Sequence, residues 1–174
     1  MTSSSSCFVV GSLAVLLQFL FVSASTKPID AICHSVTDKT FCVNTLNAYP
    51  PAASATSTLQ AVKAALRLSI SYAGKSARFA AKAANENPNM KKQFAACKDA
   101  YETIIASIKS AAGELKVSPD TANYDVMVCT DSTTIVKNLV RKNVDKDSKI
   151  VIKMTLMMER LLRIAVGATV AVGG

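Results

Sequence analysis

The side chains through which this 174-residue chain could do chemistry are one histidine, five cysteines and twelve carboxylates. Nucleophilic catalysis needs a base within reach of a Ser or Cys, itself oriented by a third group. The single histidine, His34, is adjacent to Cys33 and is poorly placed for that role. The carboxylates are scattered. Asp145 and Asp147 are the closest non-adjacent pair, and they fall in a segment that reads as a helix start. Ala73-Gly74-Lys75-Ser76 lacks the first glycine of a phosphate-binding loop and lies inside a helical pattern. There is no Asn-x-Ser/Thr acceptor for an N-glycan. These residues support no catalytic set, no cofactor and no enzyme.

The cysteines are Cys7, Cys33, Cys42, Cys97 and Cys129. Cys7 belongs to an apolar leader described below. The remaining four form an even set, which in a secreted chain reads as two disulfides, with three connectivities open. Zinc sites bring ligands in close pairs. Here eight residues separate Cys33 from Cys42 and thirty-one separate Cys97 from Cys129, so no metal is expected.

Charge is the sharper feature. The net charge is +8, and no carboxylate occurs between Asp38 and Glu86. Within that interval Lys63, Arg67, Lys75, Arg78 and Lys82 fall inside an arc of about 120° on one helix. The patch reads either as a solvated face or as a surface for something acidic, an enzyme cleft or a pectic polyanion. Nucleic acid is excluded by the leader and by the absence of aromatics in the stripe. A second surface consists of short polar side chains opposite two apolar stripes: Asp99, Glu102, Thr103, Ala106 and Ser110, then Thr130, Asp131, Thr134, Asn138 and Arg141. Such groups suit hydrogen bonding to a partner.

The elements that must position these residues are helices. Strand alternation and hairpin turns are nearly absent, whereas 3.6-residue periodicity is strong in four places. From Ser57 to Asn85 the stripe is Leu59, Val62, Leu66, Ile70, Ala73, Ala77, Ala80 and Ala84. From Pro88 to Leu115 it is Phe94, Cys97, Tyr101, Ile104, Ile108, Ala111 and Leu115, with Asn87 as the expected N-cap. From Pro119 to Asn143, opened by Ser118-Pro119-Asp120, it is Ala122, Val126, Cys129, Thr133, Val136 and Val140. From Ser148 to Val166 it is Val151, Met154, Met158, Leu161 and Ala165, with Asp147 as cap and Gly167 as terminator. Cys97 and Cys129 both lie on apolar stripes, where a bridge between their helices would sit in the core. Short links favour antiparallel neighbours. The expected fold is all-α: an up-down-up-down four-helix bundle over residues 57–166, preceded by an N-terminal helical hairpin over 27–55, with Pro50-Pro51 at the junction.

Residues 1–26 carry no charge, Cys7–Val22 is apolar but for Gly11, Ser12 and Gln18, and Val22-Ser23-Ala24 offers small residues for a signal peptidase. Residues 1–24 read as a secretory signal. A membrane anchor is the rival, but sixteen apolar residues fall short of the roughly 20 a spanning helix needs. Residues 25–174 then form one domain, large enough for a real core, in a chain that is 50% hydrophobic and 18% charged.

Taken together these residues resemble the plant invertase and pectin methylesterase inhibitor family. The similarity lies in Ile32-Cys33-His34 through Phe41-Cys42-Val43-Asn44-Thr45-Leu46, like the family's opening C-x8-C hairpin; in Ala96-Cys97-Lys98-Asp99-Ala100-Tyr101; and in the apolar last helix, Met154 to Val166. The resemblance implies disulfides Cys33–Cys42 and Cys97–Cys129. It also implies no enzymatic activity, and one-to-one inhibition of a secreted or vacuolar carbohydrate-active enzyme. Pectin methylesterase inhibitors of the family cover the pectin cleft, chiefly with the second and third bundle helices; invertase inhibitors block the sucrose cleft near the link between them. Two motifs differ. Asn123-Tyr124-Asp125-Val126-Met127-Val128-Cys129 stands where the methylesterase branch has a Ser-Ala-Ala-Leu-Thr-like stretch, and Ser118-Pro119-Asp120-Thr121 stands where the invertase branch has Pro-Lys-Phe. The Cys97–Cys129 interval is also shorter than usual. Expected functions are therefore pectin methylesterase inhibition, acid invertase inhibition, or cationic pectin binding without inhibition. The expected place is the cell wall, with the vacuole as the other address.

Overall fold

The computed structural model describes residues 26–174; the expected leader lies outside them. Helices α1 (Lys27–Cys33) and α2 (Lys39–Asn47) form the hairpin, and α3 (Pro50–Ala53) leads out of it. The bundle consists of α4 (Thr58–Glu86), α5 (Lys91–Glu114), the pair α6 (Pro119–Met127) and α7 (Cys129–Val140), and α8 (Lys146–Val170). Among the described residues there is no strand.

Sequence explains the packing. The α4 stripe buries eight alanines, from Ala61 to Ala84, so α5 can approach without long side chains between the axes. Opposite them α5 and α8 supply bulk: Phe94, Tyr101, Ile104, Ile108, Met158, Leu162 and Ile164 are fully buried. Tyr101 brings a phenol into this core. Its hydroxyl donates to Thr155 Oγ1 at 2.7 Å, and Thr155 in turn donates to the Val151 carbonyl at 2.8 Å. No member of the chain is left unpaired, which is what makes a buried polar group tolerable.

The helices run around a square, α4 against α5, α5 against α6 and α7, these against α8, and α8 against α4. Both links at one end are tied together by amides. Asn87 donates from Nδ2 to the Ala83 carbonyl and to Asp147 Oδ2, and Asn143 donates to Gln93 Oε1 and Ser148 Oγ. Asn87 therefore closes α4 instead of opening the next helix, which begins as a 3-10 turn at Pro88–Met90. The cap of α8 is Asp145, whose carboxylate accepts from the Ser148 amide at 2.8 Å, not Asp147.

Gly167 does not end α8. The helix runs on to Val170, and Gly167 is buried where the hairpin crosses it. A Cβ there would stand 2.5 Å from Val36 Cγ2 and 2.8 Å from the Ile32 carbonyl oxygen. Glycine is required for close approach, not for termination. The hairpin is held by the Cys33–Cys42 disulfide, with Cα atoms 5.7 Å apart, and by Arg160 of α8. The guanidinium stacks 3.6 Å over Phe41 and reaches Asp38 Oδ2 at 2.8 Å.

The second expected bridge is corrected: Cys97 and Cys129 are both buried free thiols. The reason is register. Cys129 Sγ lies 3.4 Å from the Asp125 carbonyl oxygen and 3.9 Å from that of Ile104, not beside Cys97. Ile104 is two helical turns beyond Cys97, a displacement of about 10 Å along α5, whereas a disulfide needs Cα atoms about 4.4–6.8 Å apart. Ile104 and Cys129 are also equidistant in sequence from the centre of the link at 115–118 that folds α6 back on α5. Bringing Cys129 level with Cys97 would take about seven more helical residues. The short interval noted in the sequence is the cause.

Candidate partner-docking face

The α5 and α7 polar residues singled out above are all solvent-exposed: Asp99, Glu102, Thr103, Thr130, Asp131, Thr134, Asn138 and Arg141. The fold places them on neighbouring helices but divides them by neighbourhood. On α5, Lys98 reaches Glu102 at 2.8 Å and Asp99 at 3.3 Å, and Glu102 shares a shallow hollow with Arg78 of α4. Those carboxylates hold Lys98 in its charged form, Glu102 most strongly. The Thr103 hydroxyl donates to the Asp99 carbonyl of its own helix at 3.1 Å. The α5 half is therefore largely satisfied by its own helix.

On α7, Thr130 donates to the Met127 carbonyl at 2.8 Å. Thr130 and Thr134 rim a groove of about 430 Å³ between α7, α8 and the hairpin, floored by Val36, Leu162 and Val166 and flanked by Ser35, Thr37 and Arg163. Lys137, one turn on, is paired with Glu159 of α8. Asp131, Thr134, Asn138 and Arg141 have no side-chain hydrogen bond or ion pair among the described residues, so their polar groups are available to a partner.

Sequence reasoning missed the apolar part of this face. Tyr124 is 65% exposed, Met127 50% and Ile135 51%. With Asp131 and Asn138 they step by 3, 4, 4 and 3 residues and fall within an arc of about 80°, directly opposite the buried Ala122–Val140 stripe. The single break at Val128 stays in the right-handed helical region and does not rotate the two halves apart. The spacing was available in the sequence. What the sequence does not carry is which edge of the bundle is left without a neighbour, and that decides whether these side chains are exposed. Tyr and Met are residue types enriched at protein interfaces. At its upper edge the α5–α6 link exposes Val117, 87% accessible.

The basic residues remain on α4. Lys82 pairs with Glu86 at 3.7 Å; Lys63, Arg67, Lys75 and Arg78 have no ion-pair partner among the described residues. No group of three or more His, Cys, Asp or Glu converges among the described residues. His34 is exposed at the end of α1. No helix of the described residues is long and apolar enough to cross a membrane.

The class defined by this fold is an all-α protein in which a disulfide-closed hairpin packs on a four-helix bundle, with a mixed polar and apolar face exposed on one edge. The profile of the plant invertase/pectin methylesterase inhibitor family matches residues 27–165, and the chain belongs to that family. Among solved structures it is similar to the mutant form A of a pectin methylesterase inhibitor from Arabidopsis, with a TM-score of 0.68 and 20% identity over 83% of this chain and 96% of that one. No curated protein sequence matches the chain.

Proposed function

We propose that the protein is a secreted inhibitor, not an enzyme, and that it blocks the substrate cleft of a pectin methylesterase in a one-to-one complex at the cell wall. The observation that carries this reading is the exposed stripe Tyr124, Met127, Asp131, Ile135 and Asn138, three large hydrophobics and two polar groups on one helix face. Cleft blocking calls for a convex surface that loses little freedom on docking. The clamped hairpin and the packed core provide that stiffness. Family membership and the similarity to a pectin methylesterase inhibitor support this choice of target. Within this reading, Tyr124 and Met127 supply the buried contact, and Asp131, Thr134 and Asn138 supply hydrogen bonds at its rim.

The second reading, an acid invertase as target, is favoured by one observation. The α5–α6 link is short and presents Val117 almost fully to solvent, and the resemblance assigns invertase blocking to that link. The test is a titration of purified pectin methylesterase, cell-wall invertase and vacuolar invertase with the protein. Stoichiometric loss of methylesterase activity, weakened at least tenfold by Tyr124→Ala and unaffected by Val117→Ser, is the expected result. The reverse pattern would transfer the target to invertase. Full activity of all three enzymes at micromolar protein would remove inhibition altogether.

A further inference from the structure

The cations of α4 are left over from this reading, and the fold gives them an arrangement of their own. Helix α4 is unbroken from Thr58 to Glu86, so Lys63, Arg67 and Arg78 lie along one strip about 60° wide and about 22 Å long, with Lys82 and Lys75 about 40–60° further round the helix. Its exposed flank otherwise consists of Gln60, Ser71 and Asn85, with no exposed apolar side chain on which a lipid or a nucleobase could rest. The carboxylates of Glu86 and Glu102, which flank the line, are engaged by Lys82 and Lys98.

Two hollows open beside the line. One of about 250 Å³, between α3 and α4, is lined by Ser54, Gln60, Lys63 and Arg67. The other, about 240 Å³, lies between α4 and α5 and is lined by Arg78, Lys98, Glu102 and Ile105 above small α4 residues, with the Glu102 carboxylate held by Lys98. In the square of helices α4 is diagonal to α6 and α7, so an occupant of the line leaves the Tyr124 face uncovered.

We propose that this line binds a linear polysaccharide bearing carboxylates, whose sugar rings enter the two hollows while their carboxylates meet Lys63, Arg67 and Arg78. A row of three cations without ion-pair partners among the described residues, Lys63, Arg67 and Arg78, set beside hydroxyl and amide groups, matches a stiff polyanion made of hydroxylated rings. The site is independent of which enzyme the protein inhibits, and it would hold the inhibitor on an acidic matrix with its docking face turned outward.

The experiment is affinity retention on immobilised polygalacturonate, with a fully methyl-esterified galacturonan and dextran as the other matrices, across a salt series. The full-length mature protein is compared with Lys63→Gln/Arg67→Gln/Arg78→Gln and with Lys142→Gln/Lys149→Gln/Lys153→Gln, which loses the same charge elsewhere. Helicity confirms that each variant is folded. Binding to polygalacturonate alone is expected, falling with salt as ions are displaced. The α4 variant should bind at least tenfold more weakly, the control variant within threefold of the parent, and enzyme inhibition should be unchanged in both. Equal losses in the two variants would mean diffuse charge attraction and overturn the site, as would absence of binding to polygalacturonate. Loss of enzyme inhibition in the α4 variant with polygalacturonate binding intact would make the line a contact for an acidic protein instead.

Discussion

If Cys97 and Cys129 stand two turns apart in register, the oxidised protein carries one disulfide and two thiols, and those thiols are silent until the bundle opens. Burial pushes the Cys97 thiol up to about 12 and the Cys129 thiol up to about 11. At pH 8 that leaves thiolate fractions of about 10⁻⁴ and 10⁻³, against about 0.2 for a free cysteine of pKa near 8.5. The ionisation alone slows alkylation by more than two orders of magnitude, and steric enclosure slows it further. The assay is alkylation without reductant, followed by intact mass. Native protein should take up no label over a time in which a small thiol is fully modified, and protein in strong denaturant should take up two. A double-mutant cycle gives an independent reading. Thiols about 10 Å apart, without shared partners, should show Cys97→Ala and Cys129→Ala costs that add within roughly 0.5 kcal/mol. Partners in a disulfide would instead show the double variant costing little more than either single one. Zero label in denaturant, or strong coupling in the cycle, would refute the register argument.

Replacing Cys33 and Cys42 by Ser should cost about 3 kcal/mol from the chain-entropy estimate for a short loop, and should lower Tm by roughly 6–12 °C for a domain of this size; scanning calorimetry reads it. Gly167→Ala should destabilise by about 1–3 kcal/mol, because the added carbon meets Val36 and the Ile32 carbonyl. Gly113→Ala, in open helical space, should stabilise by about 0.5–1 kcal/mol; urea unfolding of the pair checks both signs. Tyr101→Phe should cost about 1 kcal/mol, since Thr155 keeps its bond to Val151 when the phenol is lost. Asp38 is held below the ordinary carboxylate range, first by the Phe41 amide and then by Arg160. A depressed folded value means its contribution is present above the unfolded pKa, about 3.9, and disappears as pH falls through the folded one. Hydrogen exchange should therefore show the hairpin loosening in that acidic window, and Asp38→Asn should abolish the pH dependence of that loosening.

Much of this architecture could be read from the residues because helix periodicity and proline placement are local signals. The four stripes gave the four rods, and Ser118-Pro119 and Pro50-Pro51 marked true boundaries. The caps were read less well. Asn87 could serve the helix before it or the one after, and only the position of Asp147 across the bundle decides in favour of α4. Gly167 looked like a terminator because sequence cannot show that the hairpin crosses α8 there. The exposed stripe at Tyr124, Met127 and Ile135 had the right spacing. A hydrophobic residue in a helix is assigned to the core by default, and its exposure depends on which edge of the bundle is left without a neighbour.

Register is where the residues mislead most, and the reason is general. An α-helix returns to nearly the same face after seven residues, within about 20°. Cys97 and Ile104 are seven apart, so both lie on the buried stripe of α5, and either could stand opposite Cys129 without exposing an apolar group. Sliding α6 and α7 by two turns along α5 keeps every stripe buried while changing every pairing. Periodicity is blind to such a slide; the short link at 115–118 fixes where α6 starts beside α5, and the number of helical residues between it and Cys129 sets the height of that cysteine. The same slide leaves which residues of α6 and α7 face outward unchanged and shifts their height relative to α5. Lengthening the link alone would extend the loop without moving the helices. Seven residues inserted within α6 as two helical turns, by contrast, should bring Cys129 level with Cys97 and let a bridge form under oxidation, with one label in denaturant per surviving thiol as the measure. If that variant folds with both thiols still free, the count of helical residues from the link does not set the register, and the explanation given for the missing bridge fails with it.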